Sequence, residues 1–238
     1  MKIALVGYGK MGHAIERIAV ERGHEIVCKI NSGNPEDMDS EAFRSADVAI
    51  EFTNPASACA NIVKCIENGV PVVSGSTGWL AKMDEVKALC AAKDGAFFYS
   101  SNFSIGVNIF FELNKYLAKI MNRFAQYDVT MKEIHHIHKL DHPSGTAITL
   151  AEGVLGNLDR KKSWSEKTDC AADELLINHE REGEVPGTHI IEYRSSQDRI
   201  EIQHEAFSRD GFALGSVVAA EWMQGKKGFH TMDELMNL

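Results

Sequence analysis

The chain has 238 residues and a mass of 26.3 kDa, enough for one large or two small domains. Its formal net charge of −9 argues against nucleic acid or an anionic membrane surface as a partner, and no apolar run approaches the ~20 residues of a membrane span. Five cysteines without a Cys-Xaa-Xaa-Cys pair disfavour a disulfide framework or a thiolate metal site, so we expect a cytoplasmic protein.

The N-terminal segment has the pattern of a dinucleotide-binding βα unit. The apolar run of residues 2–6 predicts a strand, residues 13–22 predict a helix, and a Gly-Xaa-Gly-Xaa-Xaa-Gly turn lies between them. Such a turn lets the backbone approach a pyrophosphate and lets the helix pack closely on the strand. The order strand, turn, helix therefore predicts NAD(P) binding, with contacts from Gly7, Tyr8, Gly9, Lys10, Met11 and Gly12.

The second predicted strand, residues 24–30, bears on the choice of nucleotide. A Rossmann fold usually has an acidic residue at the end of this strand, which contacts the ribose hydroxyls. Here the sequence is Ile30-Asn31-Ser32, with Lys29 just before. Because the usual acid is missing, a 2′-phosphate meets no repulsion there. NADPH and NADH both remain candidate cofactors, and we expect NADPH to bind no worse than NADH.

Strands and helices continue to alternate up to residue 99. This order predicts a doubly wound parallel sheet, and so an α/β fold of the Rossmann type. The predicted strands are residues 47–52, 70–73 and 96–99, and the predicted helices are residues 56–68 and 83–93. Two polar, glycine-bearing loops follow strands of this sheet, at 74–79 and 100–108. By itself the 74–79 loop is only a flexible turn, whereas ligands of open α/β sheets bind at the carboxyl ends of strands, which makes the 100–108 loop a candidate for ligand contact.

A second group of potentially catalytic side chains lies between a predicted strand at residues 127–134 and a predicted helix at residues 147–155. The connecting loop contains four histidines, a lysine and an aspartate: His135, His136, His138, His142, Lys139 and Asp141. Ser144 or Thr146 is expected near the helix cap. A helix N-terminus attracts anions, and Lys139 with the histidines forms a second positive pole. The loop therefore suits a small substrate with two carboxylates, and it keeps a proton donor nearby.

Two other interpretations of this loop remain open. A histidine pair is often only solvated or structural. The histidines could also bind zinc. However, His135 and His136 point in opposite directions if the strand continues, and no Cys, Asp or Glu follows at finger-like spacing. We therefore expect no metal site here.

The whole string His135-His-Ile-His-Lys-Leu-Asp-His-Pro-Ser-Gly-Thr-Ala147 resembles the signature of the dihydrodipicolinate reductases of bacterial lysine and diaminopimelate biosynthesis. The resemblance implies an NAD(P)H-dependent oxidoreductase that reduces 4-hydroxy-tetrahydrodipicolinate to tetrahydrodipicolinate. It assigns His135 as the proton donor, Lys139 as the second acid and His136 as a contact to a substrate carboxylate. It also assigns Gly145 and Thr146 as the cradle for the other carboxylate, and Arg209 is a further substrate contact.

The resemblance extends over essentially the whole chain. The 75–78 segment resembles the family's Gly-Thr-Thr-Gly, which lies against the nicotinamide ribose, and 102–108 resembles its hinge between domains. The cofactor contacts implied by these two segments are Gly75, Ser76, Thr77, Ser100, Ser101, Asn102 and Phe103.

The rest of the chain supports a two-domain arrangement. Residues 160–173 are charged and predicted to be irregular, and three β segments follow at 175–179, 189–193 and 199–204. Residues 212–222 predict a buried helix. We expect a dinucleotide-binding domain at 1–104 plus 208–238, with an inserted α+β domain at 105–207 for substrate binding and oligomerisation, and a homotetramer by resemblance. Two alternative functions remain open: another NAD(P)-dependent reductase of an acidic metabolite, and a non-enzymatic nucleotide sensor.

Overall fold

The computed structural model describes residues 1–237, which form two sheets and eight α-helices in the described range. The strands are β1 (Lys2–Val6), β2 (Glu25–Ile30), β3 (Val48–Glu51), β4 (Val72–Ser74), β5 (Ala96–Tyr99), β6 (Asp128–His135), β7 (Ser163–Ser165), β8 (Glu174–Arg181), β9 (Gly187–Arg194), β10 (Arg199–Ala206) and β11 (Gly228–Thr231). The helices are α1 (Lys10–Glu21), α2 (Glu41–Arg44), α3 (Ala58–Glu67), α4 (Met83–Ala92), α5 (Ile105–Met121), α6 (Gly145–Leu155), α7 (Asp210–Trp222) and α8 (Met232–Met236).

The chain divides into two compact units, Met1–Ile105 with Arg209–Leu238, and Gly106–Ser208. The predicted domain boundaries lie within one residue of these limits. Which function each unit has stays a prediction. No helix in residues 1–237 combines the length and apolar character needed to cross a bilayer.

The first unit is built on a parallel six-stranded sheet in the order β2-β1-β3-β4-β5-β11. Side chains of a strand alternate between the two faces, and β1 feeds both cores of the unit. Ile3 and Leu5 join the core that α1 and α7 cover, whereas Ala4 and Val6 join the core that α3 and α4 cover. Helices therefore cover both faces, which confirms the predicted doubly wound α/β fold.

The second unit is built on a mixed five-stranded sheet in the order β10-β9-β6-β8-β7. β6 pairs antiparallel with β9 and parallel with β8, so it lies at the centre of the sheet. Val129 and Met131 of β6 are buried in the core formed with α6, where Leu150 and Val154 are also buried. The next two side chains on that face are Glu133 and His135. The apolar alternation of β6 thus leads directly into the candidate site.

Several element predictions were incomplete. α1 begins at Lys10 rather than residue 13, and α5 begins at Ile105 rather than 109, so the second half of the predicted 102–108 hinge is helical. β7 lies inside the segment predicted to be irregular, because it pairs with β8 despite its polar neighbours. β11 was not predicted, and it pairs parallel with β5 at the edge of the first sheet. The two missed strands, β7 and β11, depend on pairing with another segment of the chain.

Candidate active site

A buried carboxylate, Glu133, organises the site loop in the second unit. It lies in the middle of the sheet, opposite His189 on β9 and His179 on β8, and none of its surface is exposed. Its Oε2 accepts a hydrogen bond from Ser144 N at 3.1 Å, and its Oε1 accepts one from Arg181 Nη2 at 3.3 Å. A buried charge needs such partners, because desolvation otherwise makes it costly.

Two imidazoles stand against the same carboxylate. His135 Nδ1 is 3.6 Å from Glu133 Oε2, and His189 Nε2 is 3.8 Å from that oxygen. The two rings meet edge to face with centroids 5.2 Å apart. Gly187 borders His135 on its other side, since a Cβ there would come 3.1 Å from His135 Nε2, and its φ of 156° also favours glycine. His135 is therefore held with Nδ1 toward a negative charge.

Burial determines the protonation of this group. Desolvation lowers the pKa of His135, although the Glu133 charge acts in the opposite direction. Desolvation likewise lowers the pKa of His189 to about 3. Desolvation by itself would raise the pKa of Glu133, but hydrogen bonds from Ser144, together with the positive charge of each imidazole when it is protonated, bring it below its ordinary value. The resting cluster therefore consists of one carboxylate and two neutral imidazoles.

Lys139 is held by its own loop. Its Nζ donates to both carboxylate oxygens of Asp141, at 2.9 and 2.7 Å, and this bond lowers the pKa of the Asp141 carboxyl group. Arg181 fixes the loop from β8, because its Nε donates to Lys139 O at 3.2 Å and its Nη2 to Asp141 O at 2.8 Å. The same guanidinium also bonds Glu133. Arg181 thus joins the loop that carries the ammonium to the buried carboxylate below it.

The N-terminus of α6 completes the cluster. Ser144 is the N-cap, and its Oγ accepts a hydrogen bond from Ala147 N at 3.2 Å. The same Oγ lies 3.2 Å from His189 Nε2. Gly145, the first helical residue, has open space where a Cβ would be, so a ligand could approach its backbone. Thr146 follows it in the first turn and is half-buried. The structure thus brings Gly145 and Thr146 into the first turn of a helix.

The other two predicted substrate contacts, His136 and Arg209, belong to different units. His136 follows β6, is half-buried, and its Nδ1 has no hydrogen-bond partner among residues 1–237. Arg209 is the exposed N-cap of α7 and belongs to the first unit. Both contacts remain predictions.

The glycine turn has the geometry expected for a nucleotide. Gly7 has a φ of 100°, and a Cβ there would meet Phe52 O at 2.0 Å, so only glycine fits. A Cβ on Gly12 would come 2.4 Å from Gly7 O, which shows how closely α1 packs on the turn. Gly9 is the N-cap of α1 and provides no side-chain cap. The first N–H groups of α1 therefore point at the turn, as anion binding requires.

A cavity of about 520 Å³ opens beside this turn at the carboxyl ends of β1, β2 and β3. Its walls include Gly7, Tyr8 and Gly9 from the turn and Asn31 and Ser32 from the end of β2. The sheet order reverses between β1 and β3, which is where open α/β folds bind ligands. The residues present therefore fit a dinucleotide. Lys10 is exposed beside the turn, and Met11 is half-buried against the core.

The loop after β4 has a buried polar network that the sequence did not reveal. Glu51 of β3 is fully buried and accepts hydrogen bonds from Ser74 Oγ at 2.5 Å, Ser76 Oγ at 2.8 Å and the Thr53 hydroxyl. Desolvation raises the pKa of the Glu51 carboxyl group. The hydroxyl of Ser76 is thus committed to Glu51. Gly75 is constrained as well, since a Cβ there would meet the Phe52 ring at 2.3 Å.

The remaining predicted cofactor contacts differ in exposure. Thr77 and Ser101 are exposed and Ser100 and Asn102 are half-buried, whereas Phe103 is 1% exposed. Ser100 Oγ donates to Asn102 O at 2.7 Å, so this loop has a defined turn. The Phe103 ring packs on Phe52 and Phe98 in the core. Its side chain is therefore structural, and a contact to a nucleotide could come only from its backbone.

Two groups of side chains in the described chain could hold a metal ion. The ligand atoms of Glu133, His135 and His189 lie within 4.8 Å of one another, and the same limit holds for His142, Glu166 and His179. Both groups combine two imidazoles with one carboxylate, and each draws on more than one segment: Glu133 and His135 lie on β6 and His189 on β9, whereas His142, Glu166 and His179 come from three separate segments. The local spacing in the sequence, on which a zinc site was judged unfavourable, does not detect such groups.

Three residues of the site were missed by sequence reasoning: Glu133, Arg181 and His189. Glu133 and His189 were assigned to strands only. A signal existed, because Glu133 stands two residues after buried Met131 on the apolar face of its predicted strand. A charge at such a position indicates either a strand end or a buried functional group.

Comparisons with known proteins agree over the whole chain. The family profile described as dihydrodipicolinate reductase, N-terminus, matches residues 1–103, and the profile for the C-terminus matches residues 106–236. A 4-hydroxy-tetrahydrodipicolinate reductase from Christiangramia forsetii is 48% identical over 237 residues, covering 100% of this chain and 98% of that protein. One from Archaeoglobus fulgidus is 34% identical over 261 residues, covering 99% and 100%.

A similar fold occurs in a solved structure. The dipicolinate-bound dihydrodipicolinate reductase from Paenisporosarcina sp. TG-14 superposes with a TM-score of 0.75 at 20% sequence identity, and 98% of each chain is covered. At this identity the comparison establishes the shared fold.

Proposed function

This chain belongs to the dihydrodipicolinate reductase family, and on that premise we infer that it reduces 4-hydroxy-tetrahydrodipicolinate to tetrahydrodipicolinate with NAD(P)H in lysine and diaminopimelate biosynthesis. The structural feature that best supports this function is the cluster around Glu133. It holds a buried imidazole, a lysine-bearing loop and a helix N-terminus together in one unit. These groups suit an anion that must receive a proton.

We propose that the substrate is a small dicarboxylate bound at this cluster. The reductase from Paenisporosarcina was solved with dipicolinate, a ring dicarboxylate, bound to it. In this chain one carboxylate would meet Lys139 and His136, and the other would meet the backbone of Gly145 and Thr146 at the start of α6. Helix N-termini stabilise such charges. Arg209 is a further proposed contact to a substrate carboxylate.

When bound, NAD(P)H supplies the hydride for the reduction. The residues proposed to hold it are those of the glycine turn, the 75–77 loop and the 100–103 loop. The turn would contribute backbone N–H groups at the start of α1, and the cavity of about 520 Å³ beside it would receive the adenosine half. Ser76 would contribute through its backbone, because its hydroxyl bonds Glu51.

His135 is proposed as the proton donor. Its imidazole is neutral at rest, because burial lowers its pKa, and a neutral ring must gain a proton before it can donate one as an imidazolium. A dianionic substrate beside His135 would raise the proton affinity of the imidazole. Glu133, 3.6 Å from Nδ1, stabilises the charged ring. Lys139 would exchange its bond to Asp141 for the substrate carboxylate. Substrate binding and proton uptake are therefore coupled.

Two broader statements are proposals as well. We propose a cytoplasmic location, on the grounds that all five cysteines are free. We also propose a homotetramer assembled through the sheet of the second unit. Its support is that β10 forms an edge of that sheet and leaves Ile200 40% exposed. Light scattering on the purified chain would test the tetramer.

The decisive experiment is an assay of NADPH oxidation with the product of dihydrodipicolinate synthase as substrate. Turnover with this substrate, and none with other acidic carbonyl or imine metabolites, is the expected result. Turnover only with a different acidic metabolite would favour another NAD(P)-dependent reductase. Nucleotide binding without any turnover would favour a nucleotide sensor, and either result would overturn the proposal.

A further inference from the structure

Three side chains from separate segments of the second unit converge beside the active-site loop. His142 comes from the loop, Glu166 follows β7, and His179 lies on β8. His142 Nδ1 is 2.8 Å from Glu166 Oε1, and His179 Nδ1 is 3.0 Å from the same oxygen. The two imidazole rings stack with centroids 4.2 Å apart and an angle of 15°. Both rings therefore direct the same nitrogen at one carboxylate oxygen.

We propose that His142, Glu166 and His179 form a binding site for a divalent transition-metal ion of the zinc class. Two imidazole nitrogens and one carboxylate oxygen are a ligand set that zinc accepts, with water in the fourth position. Ligands at zinc distances in a tetrahedral site stand about 3.4 Å apart. The present separations of 2.8 and 3.0 Å would need to widen by about half an ångström, which side-chain rotation supplies.

Charge and access favour this cluster over the other candidate group. The side chains of His142, Glu166 and His179 are 48%, 25% and 35% exposed, so an ion can enter and keep a water ligand. The side chains of His135, Glu133 and His189 are 9%, 0% and 7% exposed, and Arg181 Nη2 stands 3.3 Å from Glu133 Oε1.

A dication at the buried group would lose its hydration and meet a guanidinium already bound to its only carboxylate. At the exposed cluster the ion would take the place of the direct contacts from the two Nδ1 atoms to Glu166 Oε1, and each neutral imidazole would carry its proton on Nε2. The chain's net charge of −9 also favours cations in general.

Binding there would join three parts of the unit. His142 stands two residues before Ser144, the cap of α6, and Glu166 follows β7, an edge strand of only three residues. An ion bound only by the folded chain stabilises it by mass action. The site therefore predicts a metal-dependent rise in thermal stability. This inference concerns binding alone and does not depend on the proposed reductase activity.

The experiment is a cobalt titration of the full-length, tag-free protein after treatment with a chelator. Co²⁺ has visible absorption that reports nitrogen and oxygen ligation, and Zn²⁺ should displace it, because Zn²⁺ has no d-electron preference that opposes a tetrahedral site. We expect one equivalent to bind. His142→Ala, His179→Ala and Glu166→Gln should each weaken binding by about tenfold or more, since each removes one of three ligands.

The matched control is His138→Ala. His138 is an exposed histidine whose Nε2 pairs with Glu184 at 3.1 Å, but no second imidazole completes that pair among the described residues. This variant should bind Co²⁺ as the unaltered protein does, and it should keep the metal-dependent rise in melting temperature. The three ligand variants should lose that rise while remaining folded by circular dichroism.

Three outcomes would overturn the proposal. Absence of saturable binding would exclude the site. Binding that survives in the ligand variants but is lost in His135→Gln would place the ion at the buried group instead. Intense near-ultraviolet bands from thiolate-to-cobalt charge transfer would place it on the free cysteines.

Discussion

The buried carboxylate of Glu133 fixes the positions of several neighbouring side chains. Its two oxygens bond Ser144 N and Arg181 Nη2, and both His135 and His189 face it within 4 Å. A carboxylate with such partners stays ionised in a buried position, because the hydrogen bonds compensate for the lost water. The charge then orients His135 and stabilises its protonated form. Glu133 is therefore a positioning residue for the proposed proton donor.

The roles proposed for His135 and Lys139 predict different kinetic defects. His135→Gln should keep much of the substrate affinity but lose about 10²–10⁴-fold in turnover, the usual span for general acid–base catalysis. Its pH–rate profile should also lose a limb, since the imidazole that titrates is gone. Lys139→Ala should reduce turnover severely and weaken substrate binding, because the ammonium contact and the acid vanish together. Steady-state kinetics with NADPH oxidation as the signal measure both.

The control for this pair is the affinity for NADPH. Neither residue belongs to the unit that carries the glycine turn, so both variants should bind NADPH as the unaltered protein does. Near-normal turnover in both variants would mean that the loop is merely solvated, and it would refute the assignment of the site.

Lys29 gives a prediction for the choice of cofactor. It stands beside Tyr8, which lines the nucleotide cavity, and its Nζ is 2.6 Å from Glu16 Oε1. We expect NADPH to bind no worse than NADH. Lys29→Ala should weaken the binding of NADPH by about two- to fivefold more than the binding of NADH, which is the size of an exposed charge contact. Glu16→Gln should have the opposite effect, because it frees the ammonium.

Fluorescence titration with both nucleotides measures these affinities. An unaltered protein that binds NADH more than about tenfold tighter than NADPH, or ~1.4 kcal/mol, would contradict the expectation. Identical ratios in both variants would show that Lys29 does not face a 2′-phosphate.

Helix α6 connects the site to the stability of its unit. Ser144 caps the helix, and the apolar face of α6, with Leu150 and Val154, packs on the sheet. Ser144→Ala should lower the free energy of unfolding by about 0.5–2 kcal/mol, because an N-terminal N–H loses its acceptor. Urea denaturation measures this difference.

The matched variant on the same helix is Thr149→Ala. Thr149 is exposed, and its hydroxyl bonds Gly145 O within the helix. Its removal should leave stability within about 0.5 kcal/mol or raise it slightly, since alanine favours helices. Equal losses in both variants would mean that the cap contributes nothing specific.

Burial keeps His189 neutral in the folded chain, and this predicts a pH dependence of stability. Burial lowers the pKa of His189 from the ordinary 6.5 to about 3 in the folded chain. Between these values the unfolded chain binds a proton that the folded chain does not. Stability is therefore full above pH 6.5 and falls as the pH decreases, by up to about 1.4 kcal/mol per pH unit for this one group.

Urea denaturation between about pH 5 and pH 6 tests this, because both states still differ by nearly a full proton there. His189→Gln should flatten the slope of unfolding free energy against pH by about that amount, whatever its stability at neutral pH. His135 and His204, whose pKa values burial also lowers, should keep a remaining slope. A slope unchanged in His189→Gln would contradict the neutral assignment of His189.

The sequence by itself determined the fold class and the two places where chemistry is concentrated. The hydrophobic periodicity of the strands is enough for this. Side chains of β1 enter two cores in turn, so its apolar run has no polar face. Side chains of β6 alternate between one core and a partly exposed face. The glycine turn and the 133–147 loop are local, since strand, turn and helix follow one another along the chain. Resemblance of these same segments supplied the activity, and the family comparisons confirm it.

Only the tertiary structure decided which side chains contact the same buried carboxylate. Arg181 and His189 reach Glu133 from strands far away in sequence, and the sheet register that aligns them is set by pairing, not by neighbours in the chain. β7, β11 and the cluster of His142, Glu166 and His179 depend on such pairing as well. Burial, which makes His189 neutral and commits Ser76 to Glu51, likewise exists only after distant segments have packed together.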